Sequence, residues 1–130
     1  MNRIEHLGIA VKDLAAAEKI FTDVLGFEPY KREEVADENV ITSFFKTGES
    51  KVELLQSTSS DGPIARHIEK RGEGLHHVAF HVVDIESEIS RLEQIGYRCI
   101  SGPKGGADGK RIAFLHPSDT SKVLIELCAD

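Results

Sequence analysis

Residues 5–26 read EHLGIAVKDLAAAEKIFTDVLG and residues 76–96 read HHVAFHVVDIESEISRLEQIG. The second stretch repeats the first in everything that governs local structure. With His6 set on His77, Asp13 falls on Asp84, each seven residues on, and Gly26 and Gly96 follow 20 and 19 residues after their histidines. Each copy opens with a short alternating apolar run, the mark of a half-buried strand. The aspartate then stands where a helix N-cap accepts hydrogen bonds from free backbone N–H groups. An amphipathic helix follows. Leu14, Ala17, Phe21, Val24 and Leu25 share one face in the first copy, and Ile85, Ile89, Leu92 and Ile95 share one in the second. A glycine closes each helix, as a left-handed C-terminal cap requires.

Outward from the copies, the pattern returns to strands. The first half predicts strands over 28–33, 40–46 and 51–56, with Gly48-Glu49-Ser50 as the tight turn between the last two. The second half predicts 97–100, 110–115 and 122–128, with His116-Pro117-Ser118-Asp119 as the corresponding turn. Each half is therefore strand–helix–three strands, a βαβββ module, over residues 1–56 and 74–130 of a single domain, 1–130. The stretch 57–73 joins them and carries a short helix starting at Pro63, with Ile64 and Ile68 one turn apart. One module leaves a sheet face uncovered, and two copies can set those faces around a shared cleft.

Bulk composition narrows the function. Hydrophobic residues make up 40% and charged residues 29%, as in soluble globular chains. No apolar run is long enough to span a bilayer, and no signal-peptide pattern opens the sequence, so a cytoplasmic protein is expected. Cys99 and Cys128 form no CxxC pair, which disfavours a cysteine zinc site and suits two free thiols. The net charge of −6, without a basic stripe, argues against nucleic-acid partners.

Four side chains recur at equivalent places. Strand alternation puts His6, Gly8 and Ala10 on one face, and His77, Ala79 and His81 on one face of the repeat. The larger apolar residues must face the helices, so the histidines face the cleft, where small neighbours leave room for a ligand. The closing strands repeat when Glu53 is set on Glu126, 47 residues from His6 and 49 from His77. Each glutamate sits in an otherwise apolar run, and a buried carboxylate needs a partner. Taken singly, a strand histidine is more often a core or surface residue than a ligand, and such a glutamate more often pairs with Arg or Lys. Repetition in both halves makes a divalent metal the economical alternative. Two imidazoles and two carboxylates leave open positions on a six-coordinate ion.

The segments His6-Leu7-Gly8-Ile9-Ala10-Val11, Val52-Glu53-Leu54-Leu55, Leu75-His76-His77-Val78-Ala79-Phe80 and Leu124-Ile125-Glu126-Leu127 resemble the metal-ligand segments of the vicinal oxygen chelate superfamily, over essentially the whole chain. Asp61-Gly62-Pro63-Ile64-Ala65, Lys70 to His77 (KRGEGLHH) and Gly109 to Pro117 (GKRIAFLHP) are similar to its methylmalonyl-CoA epimerase family. The resemblance implies an α+β fold in which two tandem βαβββ modules form an open, cupped eight-stranded mixed sheet around a metal cleft. It implies metal ligands at His6, Glu53, His77 and Glu126, with Glu53 at a position where some members carry Gln. Co2+ is the implied ion, with Mn2+, Ni2+, Zn2+ or Mg2+ as other occupants. The implied reaction is epimerisation at C2 of a methylmalonyl thioester, in a homodimer.

Glu126 is the implied acid–base group. Some relatives carry a second acid on the third strand, but here that strand reads Val40-Ile41-Thr42-Ser43-Phe44-Phe45, which leaves Glu53, a water or a nearby side chain for that role. Arg66, Lys70, Arg71, Lys104, Lys110 and Arg111 are candidates for coenzyme A phosphates, against the ordinary reading of solvated surface charges. The glycine-rich stretch 102–109 reads as a flexible connection or a mobile rim. His76 should point away from His77 and be structural. Two alternatives share the fold: glyoxalase I, with the same ligand types acting on a glutathione hemithioacetal, and a non-enzymatic small-molecule-binding member. A ring-cleaving dioxygenase is a weaker third, because Glu53 would obstruct oxygen binding.

Overall fold

The computed structural model describes all residues, Met1–Asp130. In chain order the elements are β1 (Arg3–Ala10), α1 (Leu14–Leu25), β2 (Lys31–Val35), β3 (Val40–Thr47), β4 (Ser50–Ser57), α2 (Pro63–Arg71), β5 (Gly74–His81), α3 (Ile85–Gln94), β6 (Cys99–Gly105), β7 (Arg111–Leu115) and β8 (Ile125–Ala129), with short 3-10 turns between some of them. The strands form an eight-stranded mixed sheet in the order β2-β3-β4-β1-β5-β8-β7-β6. The chain divides into two compact units, Leu7–His76 and Met1–His6 with His77–Asp130.

In the unit Leu7–His76, alternation along β3 and β4 sorts side chains by face. Phe45, Val52 and Leu54 pack with Leu14, Ala17, Phe21 and Leu25 of α1. Asp13 caps that helix as expected, its Oδ1 accepting from Ala16 N at 3.1 Å. Gly26, at φ +87°, donates its N–H to the Thr22 carbonyl. Val24 departs from its assigned face and is 74% exposed, because it flanks the buried stripe in the last turn. The helix from Pro63 forms as expected, and its Ile64 packs with Ala10, Val40 and Leu55. That packing corrects an expectation: the space beside Ala10 is filled core and not open to a ligand.

In the other unit, α3 packs through Ile85, Ile89 and Leu92 on Ala113, Leu115 and Leu127. Asp84 caps it, Oδ1 accepting from Ser87 N at 3.0 Å. Ile95 leaves the predicted stripe and is 61% exposed, because the helix ends at Gln94. Ala79 is likewise filled in, against Ile112, Cys128 and Phe114.

Strand limits shift where backbone geometry intervenes. β2 begins at Lys31, later than the predicted 28. β6 runs through part of the stretch read as a connection, pairing Lys104 with Ile112 and Gly105 with Arg111. Register shifts between Cys99 and Lys104 absorb Gly102-Pro103, and an edge strand tolerates proline. β8 begins at Ile125 and not at 122, because Ser121 and Lys122 hold φ of +58° and +68°, which no strand accommodates.

Candidate metal centre

β1 and β5 each place one histidine, and β8 pairs in parallel with β5 so that Glu126 stands opposite Ala79, two residues along from His77 and on its face. The result is a buried cluster of three groups, with His6, His77 and Glu126 at 4%, 7% and 4% exposure. His6 Nε2 and His77 Nε2 are 3.0 Å apart. Glu126 reaches both, Oε2 lying 3.4 Å from His6 Nε2 and Oε1 3.3 Å from His77 Nε2. The rings meet edge to face at an interplanar angle of 86°, and Phe114 closes edge-on against His77.

The donor set fits a divalent ion. Two nitrogens each about 2.1 Å from one ion and at right angles to each other lie roughly 3.0 Å apart, the spacing seen here. All three donor atoms lie within 4.8 Å of one another. A carboxylate and two imidazoles aimed at one point also suit the first-row ions of the sequence reading.

Glu53, the fourth residue singled out, lies in the unit Leu7–His76 and is 4% exposed. On β4 it shares a face with Lys51, itself 4% exposed, whose Nζ is 3.4 Å from Glu53 Oε2. Both stand over the aromatic face of β3, where Phe44 pairs with Glu53 and its ring centre is 5.6 Å from Lys51 Nζ. Alternation alone places Lys51 beside Glu53, two residues away, and that signal was available in the sequence although Lys51 was not nominated. Glu5 was missed as well. Its Oε1 lies 2.6 Å from His6 Nδ1, with both side chains 5% exposed.

His76 packs on His67. Its ring meets His67 edge to face at 4.9 Å between centroids, and burial, followed by the charge of His67, lowers its pKa to about 4. His81 lies near Asn2, 2.9 Å from Nδ1 to Oδ1. Of the candidate phosphate cations, Arg66, Lys70 and Arg71 lie on α2, Lys110 pairs with Asp130 at 2.8 Å, and Arg111 pairs with Glu86. That pairing raises the Arg111 pKa, first through the Glu86 hydrogen bond. No helix is long and apolar enough to cross a membrane.

Residues 5–114 match the model of the Glyoxalase/Bleomycin resistance protein/Dioxygenase superfamily, and the chain belongs to that superfamily. Within it, the chain is similar to methylmalonyl-CoA epimerases. It is 37% identical to the ethylmalonyl-CoA/methylmalonyl-CoA epimerase of Cereibacter sphaeroides, over 98% of this chain and 97% of that one. It is also 37% identical to the mitochondrial methylmalonyl-CoA epimerase of Bos taurus, over 98% of this chain and 74% of that one. Among solved structures, a variant of the Streptomyces coelicolor methylmalonyl-CoA epimerase in complex with 2-nitronate-propionyl-CoA superposes with a TM-score of 0.92 at 33% identity, over 98% of this chain and 94% of that one.

Proposed function

We propose that the chain epimerises methylmalonyl-CoA at C2, using His6, His77, Glu126 and Glu53 to hold a divalent ion. The observation that carries the reading is the buried convergence of His6, His77 and Glu126, in a chain akin to full-length epimerases. Held by these residues, a divalent ion, Co2+ first and Mn2+, Ni2+, Zn2+ or Mg2+ otherwise, would supply Lewis-acid stabilisation of negative charge on the thioester oxygen.

The chain's own groups move the proton. Glu126 takes it from C2, which lies between a thioester carbonyl and a carboxylate and is acidified by both. Return of a proton to the opposite face inverts the centre, and Glu53 is the group we assign to that face. Lys51, 3.4 Å from Glu53, supplies the counter-charge that burial of this carboxylate demands. The substrate class is an acyl-CoA, and the homodimer implied by the resemblance and the cytoplasmic setting expected from the sequence belong to the same reading. A sedimentation mass near twice 14.3 kDa would establish the dimer.

The test is incubation of the metal-reconstituted protein with single-epimer methylmalonyl-CoA in deuterated water, following epimer conversion and deuterium at C2. Conversion with exchange, lost in Glu126→Gln, supports the assignment. No conversion with any of the five ions sinks it, and methylglyoxal with glutathione then tests the glyoxalase alternative.

A further inference from the structure

We infer that Glu5 is a positioning residue: it fixes the tautomer of His6 and makes His6 the preset member of the histidine pair. The inference rests on the reading of His6 as a ligand and adds an asymmetry to it.

A neutral imidazole carries one N–H, and the hydrogen bond at one ring nitrogen decides which nitrogen keeps a lone pair. Glu5 Oε1 is 2.6 Å from His6 Nδ1, with both side chains 5% exposed. An ionised carboxylate is acceptor-only, so with Glu5 as its carboxylate the contact puts the proton on Nδ1. Nε2 of His6 is then bare, and it is the atom that faces His77 Nε2 and Glu126. The Cys128 sulfur lies within 4.8 Å of donor atoms of both Glu5 and His6. This buried setting keeps the Glu5 contact away from bulk water.

The 3.0 Å contact between the two Nε2 atoms then assigns the other ring. With His6 Nε2 bare, His77 Nε2 carries the proton and donates it. An ion held at the two Nε2 atoms would leave the tautomer of His6 alone and oblige His77 to change its own. The repeat points the same way. Glu5 aligns with His76, which packs on His67 instead. A carboxylate that orients a ligating histidine in this manner typically alters metal affinity 10- to 100-fold.

The experiment follows the ring nitrogens of 15N-histidine-labelled metal-free protein by long-range 1H–15N correlation, then titrates Zn2+. His6 should show the Nδ1–H form before and after loading, and His77 should switch from Nε2–H to Nδ1–H. Glu5→Leu should mix the His6 tautomers and weaken Co2+ binding 10- to 100-fold by chelator competition. Glu5→Gln, which keeps an acceptor oxygen, should restore the tautomer. An Nε2–H form of His6 in the unsubstituted protein overturns the inference without any variant, so misfolding of Glu5→Leu cannot shelter it. Unchanged His6 tautomer and Co2+ affinity in folded Glu5→Leu overturns it equally. If His6 is Nδ1–H and depends on Glu5 but no divalent ion binds, the metal reading fails and the tautomer assignment stands.

Discussion

β1 and β5 deliver the same residue type into one cluster, yet they prepare it differently. On β1, His6 carries a buried carboxylate behind it. On β5, the residue preceding His77 is a second histidine whose ring packs on His67. The closing strands differ in the same spirit. Setting Glu53 on Glu126 puts Lys51 against Leu124, so one glutamate has an ammonium beside it and the other two imidazoles. Duplication supplies the scaffold twice, and divergence at neighbouring residues makes its two copies chemically unlike.

The largest effect should come from the group that both histidines share. Glu126 lies 3.4 and 3.3 Å from the two Nε2 atoms, so Glu126→Gln removes the carboxylate charge from both at once. Loss of the acid–base group that we propose at Glu126 should cost about 10²- to 10⁴-fold in rate. The C2 deuterium-exchange rate reads it. A loss below tenfold would make Glu126 dispensable and shift the chemistry to the other half.

Next is the pair that has no counterpart in the second copy. Lys51→Leu installs the residue type found at 124 and leaves the Glu53 carboxylate buried at 4% exposure without that ammonium. Breaking a buried ion pair from one side typically costs about 3–5 kcal/mol, whereas apolar replacement of both partners is often neutral. Urea unfolding of Lys51→Leu should show that loss, and Lys51→Leu with Glu53→Leu should recover most of it. A single variant as stable as the parent would mean that Lys51 and Glu53 do not depend on one another.

These cases mark what the sequence could and could not disclose. The helices, their aspartate caps and the succession of elements along each copy follow from periodicity and capping, which are local. His6, His77 and Glu126 were legible because they repeat. Glu5 was not, since alternation sends neighbours to opposite faces and a 2.6 Å contact between them depends on side-chain rotamers that no pattern encodes. The filled spaces at Ala10 and Ala79 were illegible for a related reason. Ile64 and Ile112 arrive there from distant segments, and only tertiary packing shows what covers a small residue.

A smaller effect separates His76 from its aligned partner Glu5. Burial first, and the His67 charge second, hold the His76 pKa at about 4 against 6.5 in the unfolded chain. Between those values the unfolded state binds more protons, so stability falls as pH drops from 6.5 through 4. The shift is worth roughly 3 kcal/mol. Urea midpoints of metal-free protein should decline over that window, and His76→Phe should flatten the decline. Parallel pH curves for the two proteins would remove His76 from the account.

The smallest predicted effects should be equal, which makes them the control on the comparison. Asp13 and Asp84 accept from the third helical N–H at 3.1 and 3.0 Å, and both backbones are extended at the cap. Neither aspartate touches the cluster. Replacing such a cap by alanine costs roughly 1 kcal/mol. Asp13→Ala and Asp84→Ala should therefore lower the urea-derived stability by similar amounts and leave divalent-ion affinity unchanged. Alanine variants that differ by more than about 1 kcal/mol would mean that the copies have diverged in their scaffold too, and not only beside the ligands. A matched pair, set against a Glu5→Leu variant that weakens Co2+ binding, would locate the divergence in the residues that prepare each ligand.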